Sequence, residues 1–255
     1  MLSSSIRRAH LALLAAAVAA VCLWPAPAIA YRPFDSTDAA VAARGGVELE
    51  VGPASFSRLG DARSVVAPSL VVNWGIAESW EAVLEGEQVV GLGANATPRL
   101  RLEETALQLK GVLREGNLQE RAGVSIAAEF GVLLPTVNGE AGAGAQGTLI
   151  LSQRWDALTV HLNAQLEWTR AHVPGGRGGL IAEGPDAWAV RPVAELLVGA
   201  ERGGSTTRSV LAGAIWRLHD TISFDAGVRL ARLGSEGLLE IRAGLSWAFS
   251  VGVPR

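Results

Sequence analysis

From Leu158 to Thr169 the chain reads L-T-V-H-L-N-A-Q-L-E-W-T, with apolar residues at the even positions and polar ones at the odd positions. Side chains alternate faces along a strand, so the pattern predicts a strand with one apolar and one wet face. Its length is informative as well. Strands that cross a bilayer need about 9–11 residues, while strands of globular proteins usually run about 5–6. A long strand with one wet face fits the wall of a transmembrane barrel, with lipid outside and polar groups inside.

The same alternation recurs at 46–56, 66–76, 80–90, 102–114, 122–135, 190–201, 221–233 and 239–250, and 148–155 and 209–218, the latter apolar nearly throughout, also read as strands. With the opening stretch this makes eleven predicted strands and no convincing helix. Bacterial single-chain barrels have even strand numbers, so a twelfth strand is expected, inside 177–190 or at the lead-in, with ten as the next count. The expected fold is all-β, a single antiparallel transmembrane β-barrel over 46–255, preceded by an extended lead-in at 31–45. Turns in the middle third alternate between short (115–120, 156–157) and long (136–147, 170–186). Short inner turns and longer outer loops are the outer-membrane pattern, and the two long loops are expected to gate the outer mouth. The run Pro174-Gly175-Gly176-Arg177-Gly178-Gly179 reads as part of a surface loop. It lacks the strand-to-helix context and the Lys-Ser/Thr pair of a phosphate loop.

The first thirty residues read as a cleaved export signal. Arg7 and Arg8 precede an apolar run from Ala9 to Leu23, and Ala28-Ile29-Ala30 is an A-x-A cleavage site. Cleavage would remove the one Cys, the one Met and two arginines, leaving 20 basic and 25 acidic side chains, a formal charge of −5. That chain has no thiol chemistry, no basic stripe for nucleic acid, and no run of about 18 apolar residues for a membrane helix. Aromatic residues are only 5% of the chain, but Trp80, Trp155, Trp168, Trp216 and Trp247 fall at or near strand ends. An interface belt needs them there.

The wet faces carry charge of both signs. Glu81, Glu129, His161, Glu167, Arg191, Glu195, Asp225, Arg229, Glu240 and Arg242 are the candidate lumen-lining residues. Unpaired buried charge is costly, so these groups must pair or be hydrated. Two readings follow: an ion-paired lumen that fills a small barrel, or a hydrated channel whose lining selects solutes. His161 also raises lipid hydrolysis, which needs a serine beside it. Asn163 stands two residues on, and Ser152 on the preceding strand is the candidate neighbour. A His among Thr, Asn and Gln reads first as part of a polar network. No cofactor is implied, and the four His show no metal-ligand spacing.

Several short motifs resemble a known family. They are Arg32-Pro33-Phe34 with Thr37-Asp38-Ala39, then Gly45, Glu48-Leu49-Glu50 and Gly52, then Gly131 to Thr136, Arg191 to Leu196, and Phe224 to Gly227. Together they resemble a family of outer-membrane transporters associated with the meta-cleavage pathway of phenol degradation. The usual family opening has two acidic residues after the Thr, where this chain has only Asp38. The resemblance implies an outer-membrane barrel and uptake of small compounds, aromatic ones among them. It transfers no catalytic or ligand residues.

The expectation is therefore a channel or transporter in a Gram-negative outer membrane. Its partners would be the lipid bilayer, small solutes and the outer-membrane insertion machinery. A closed structural or adhesive barrel and a lipid-modifying enzyme using His161 are the alternatives, with a soluble periplasmic sandwich as a third.

Overall fold

The computed structural model describes residues 32–93 and 96–251; the expected signal peptide lies outside the described residues. Thirteen strand segments form the wall: β1 (Gly46–Gly52), β2 (Ser55–Leu59), β3 (Ala62–Ala77), β4 (Trp80–Leu92), β5 (Leu100–Arg114), β6 (Ser125–Leu133), β7 (Gly144–Trp155), β8 (Leu158–Trp168), β9 (Pro174–Glu183), β10 (Val190–Glu201), β11 (Thr206–His219), β12 (Ile222–Leu233) and β13 (Glu236–Ser250). Neighbours pair antiparallel throughout, and the sheet closes on itself. β1 and β2 are halves of one wall strand. Each half lies between β13 and β3, and Pro53-Ala54 separates them. The wall is thus a closed barrel of twelve antiparallel strands, as the evenness argument requires.

The twelfth strand is β9, inside the stretch that reads as the longest loop. Pro174–Glu183 pairs along its full length with β8 and over nine positions with β10. The Gly-rich run is therefore wall and not surface loop. Its glycines hide the alternation, because a glycine marks neither face. The expected loop at 136–147 is likewise shortened, since β7 begins at Gly144.

The first and last wall strands, β1 and β13, meet at one end of the barrel, where Gly46 pairs with Ser250. Turns 78–79, 115–124, 156–157, 184–189 and 220–221 share this terminal end. The connections 60–61, 93–99, 134–143, 169–173, 202–205 and 234–235 form the loop end. The short-long contrast of the middle third is therefore weaker than the sequence suggests. Of the two expected gating loops, only 134–143 and 169–173 remain at the loop end.

The alternation sorts the faces as expected. In β8, Leu158, Leu162, Leu166 and Trp168 are exposed on the outer wall, while Thr159 and His161 are buried inside. The outer wall is apolar along most strands, with Leu84, Leu107, Leu149, Leu196, Val228 and Ile241 each 44–55% exposed. Such a continuous apolar band is what a bilayer would cover. Trp74, Trp80, Trp155, Trp188, Trp216 and Trp247 gather toward the terminal end, and Trp168 stands at the loop end. Trp80 lies over the bare Cα of Gly111 and meets Phe130 edge-on at 6.5 Å.

If lipid covers this band, the cost of a charge on it depends on depth. Leu162→Arg, near the middle of β8, should destabilise the barrel by about 2–4 kcal/mol in liposomes, and Leu158→Arg at the strand end by roughly 0–1 kcal/mol. Denaturant titration of the refolded protein measures both. Equal costs would remove the membrane from the account.

Candidate functional site

Residues 32–45, read from sequence as an extended lead-in, run inside the barrel as a strap. The strap starts near mid-height beside β12 and β13. It passes β10, β8, β7, β5 and β4 in turn, and leaves at the terminal end. Arg32 lies 3.6 Å from Asp225 and donates to Ser69 Oγ at 2.8 Å. The Asp35 and Ser36 amides donate to Glu195 at 3.0 and 2.8 Å. Asn163 exchanges two hydrogen bonds with the Thr37 backbone, at 3.1 and 2.7 Å. The Ala39 amide donates to Ser152 Oγ at 3.0 Å, and the Ala42 amide to Glu81 at 2.6 Å. A strap without strand partners must satisfy its amides in this way, because buried backbone groups are costly when unpaired. Wall side chains supply what a ladder would otherwise provide.

The wall is cut back to receive the strap. A Cβ at Gly179 would overlap Ser36, and one at Gly75 would overlap Ala43. Gly52 and Gly244 leave room for the Arg32 guanidinium, and Pro33 packs over Gly227. All five glycines occupy inward positions of their strands. Ala39 is fully buried against Ala127 and Ile150.

Charge holds the strap in place. Asp35 accepts from Arg242 at 2.6 Å and pairs with Arg229 at 3.0 Å. Glu240 pairs with the same two arginines at 2.6 and 3.0 Å. Two carboxylates and two guanidiniums thus alternate in a ring, so no charge in it is left uncompensated. Further along, Lys110 lies 3.4 Å from Asp38 on the strap and 3.3 Å from Glu81 on the wall.

Above the strap lies a cavity of about 630 Å³ that reaches the loop-end rim at Glu140, Thr169, Glu201 and Ser205. Strap residues from Arg32 to Ala42 make up its floor. Thirteen carboxylates line it against six cations, so its field is negative on balance. A row of hydrogen-bonded groups crosses one side. Gln108 donates to Glu85 at 3.0 Å, Gln146 to Gln108, and Gln165 to Gln146 at 3.0 Å and Glu167 at 3.3 Å. Each amide in such a row keeps bonding capacity for a guest. At the rim, Arg170 donates to the carbonyls of Leu134 and Thr105, both at 2.8 Å. It pins loop 134–143 to the wall.

The ten residues singled out from sequence divide between these places. Glu81, Glu129, Glu167, Arg229, Glu240 and Arg242 line the cavity. Glu195 and Asp225 hold the strap instead. His161 and Arg191 lie lower, in a buried chain toward the terminal end. His161 Nδ1 is 2.7 Å from Ser152 Oγ, its Nε2 is 3.0 Å from Glu183, and Glu183 is 3.4 Å from Arg191. Arg191 continues to Asp186 at 2.7 Å. Sequence reasoning left out Asp35, Asp38 and Glu183. It also left out the wall glycines, whose only signal is a bare residue at an inward position.

Ser152, His161 and Glu183 have the spacing of a nucleophile, base and orienting acid. Their setting is different. Ser152 and His161 are each 1% exposed and face the inside of the barrel, and Ser152 Oγ is occupied by the Ala39 amide. The wall separates them from any lipid on the outer surface. The group anchors the strap, and the geometry gives a lipid substrate no approach.

No protein-family model and no curated protein matches this chain. Solved structures do match in fold. An outer membrane channel from Pseudomonas putida F1 aligns with TM-score 0.62 at 10% identity, over 85% of this chain and 99% of that one. The NanC porin aligns with TM-score 0.54 at 9% identity, covering 79% and 98% of the two chains. The KdgM porin aligns with TM-score 0.53 at 11% identity, covering 78% and 98%. At these identities the likeness is one of fold.

The ring of charges predicts how firmly the strap is held. Asp35→Asn leaves Arg229 and Arg242 with one carboxylate partner and should weaken strap docking by about 1.5–3 kcal/mol. That corresponds to a roughly ten- to hundredfold rise in amide exchange at Asp35, Ser36 and Ala39, read by hydrogen–deuterium exchange. Unchanged exchange would mean that the ion pairs do not hold the strap.

Proposed function

We propose that this chain is an outer-membrane channel for small hydrophilic solutes, with its N-terminal strap as the constriction. The observation that carries this reading is the polar cavity that reaches the loop-end rim and is floored by the strap. An apolar outer wall, a closed barrel and an export signal expected from the sequence support placement in a Gram-negative outer membrane. The insertion machinery of that membrane would be its assembly partner. The fold shared with an outer membrane channel and two porins agrees with transport.

The lining speaks to the solute. Its carboxylate excess favours cations over anions, because fixed charge of one sign concentrates the opposite sign in a cleft. The KdgM porin has been solved in complex with oligogalacturonate. The acidic cavity here suits the opposite charge. Aromatic compounds, implied by the family resemblance, would meet a single aromatic side chain in the lining, Phe34. Polar and cationic solutes fit the remainder better.

The strap also favours a second reading, a barrel that never opens. Planar-bilayer recordings separate the two. The mature chain should show small or rare conductance steps, and a variant lacking residues 31–44 should show large, steady ones. No steps from the folded deletion variant would favour the closed barrel.

Selectivity tests the lining separately. Replacing Glu85, Glu87 and Glu104 by Gln in the deletion variant should move the reversal potential in a salt gradient away from the cation side. An unmoved potential would mean that the carboxylates do not set selectivity.

A further inference from the structure

A different charged feature lies on the outside of the wall, at the loop end. Arg58 and Arg63 stand directly opposite each other across β2 and β3. Arg208 and Arg232 stand directly opposite each other across β11 and β12. Strand parity places all four outward. Ser57, next to Arg58, pairs with the inward Glu240, and Ala231, next to Arg232, is buried inside. All four arginines are exposed. None has a carboxylate partner among the described residues.

This arrangement is unfavourable as it stands. Like charges directly opposed across an antiparallel pair destabilise it. Here two such pairs flank one strand, β13. The β13 residue opposite Arg232 is Gly237, where a Cβ would meet nothing within 4 Å. The β13 residue opposite Arg58 is Leu239, so the space between the two pairs is bare beside Arg232 and apolar beside Arg58. Neighbouring strands are about 4.8 Å apart, so the patch from β11 to β3 is on the order of 20 Å wide. Directly beneath it the wall is apolar, with Val210, Leu230 and Ile241 each 44–55% exposed.

A ligand that satisfies all of this carries negative charge at its head and hydrocarbon below. We propose that the patch binds the phosphate groups of an anionic lipid in the leaflet at the loop end, with the acyl chains against the apolar wall. Arginine matches phosphate in two-pronged, charge-assisted hydrogen bonds. A phosphate between opposed guanidiniums turns their repulsion into a shared attraction. The patch is on the outside of the wall, so the assignment does not depend on whether the lumen conducts.

The test uses the folded mature chain in neutral detergent and native mass spectrometry. The probes are bis-phosphorylated lipid A and the same lipid A after phosphatase treatment. The wild type should retain the phosphorylated form at least about tenfold more strongly. The variant R58Q/R63Q/R208Q/R232Q should lose that preference. R121Q, whose arginine pairs with Glu115 in a terminal-end turn, should keep it. If the fourfold variant does not fold, R58Q/R63Q and R208Q/R232Q are measured separately, and each should lose part of the preference. Melting gives a second reading. Without lipid A each double variant should melt at or above the wild type, because repulsion is relieved. Added lipid A should then raise the wild type more than either variant. Equal retention of the two lipids, or variants that keep the preference, would overturn the proposal. Displacement of lipid A by an equal concentration of inorganic phosphate would overturn the lipid assignment in favour of free phosphate.

Discussion

Every backbone N–H and C=O of a wall that faces lipid must find its partner within the protein, because hydrocarbon offers none. The consequences run through the whole chain. An open sheet would leave an unpaired edge, so the first wall strand must meet the last. In this chain the first strand is broken at Pro53-Ala54, and a proline cannot donate to a ladder. Closure survives because both halves, β1 and β2, pair with β13 on one side and β3 on the other. Once the sheet closes, alternation does the rest. Every second residue must face lipid and be apolar, and the remaining ones share a narrow interior.

That interior explains the strap. Charges of both signs crowd a space too small to hydrate them all, and a carboxylate without a partner would be costly there. Asp35 and Asp38 arrive on the strap where Arg229, Arg242 and Lys110 need partners. Glu195 and Glu81 find theirs in strap amides. The strap and the wall thus satisfy each other's charged and polar groups. Its seat is also carved in the backbone, at glycines whose substitution would push Arg32, Ser36 or Ala43 away. The cavity above is what remains of the lumen once the strap has filled the lower part.

The wall was legible in the sequence wherever lipid imposes an apolar face. The stretch from Leu158 to Thr169 could be read to within one residue of β8, and most other strands to within a few positions. β9 was not legible, for a reason that belongs to the site. Gly175 and Gly179 face inward, Gly176 and Gly178 face outward, and Gly179 is bare because Ser36 lies against it. A strand adapted to hold another segment thus loses the pattern by which strands are recognised. The strap was read only as extended lead-in, because an unpaired segment has no periodicity to give its place. Ser152 and His161 needed a register, Ser152 opposite His161, before their 2.7 Å contact became visible. Six of the ten sequence candidates line the cavity, since parity alone aims a side chain inward. Parity does not tell whether strap or water meets it there.

The two ends of the outer wall differ in their tryptophans. Six tryptophans gather toward the terminal end and one stands at the loop end. The two opposed arginine pairs, Arg58 with Arg63 and Arg208 with Arg232, lie at the loop end. Tryptophan suits a boundary that is apolar on one side and wet on the other, whatever the headgroup. Arginine pairs opposed without carboxylates suit a boundary rich in anions. The lipid assignment proposed above would place the loop end in the more anionic leaflet. The polar mouth of the cavity, at Glu140 and Glu201, then opens on that same side. The strap, which leaves at the opposite end, forms the floor of that cavity from within.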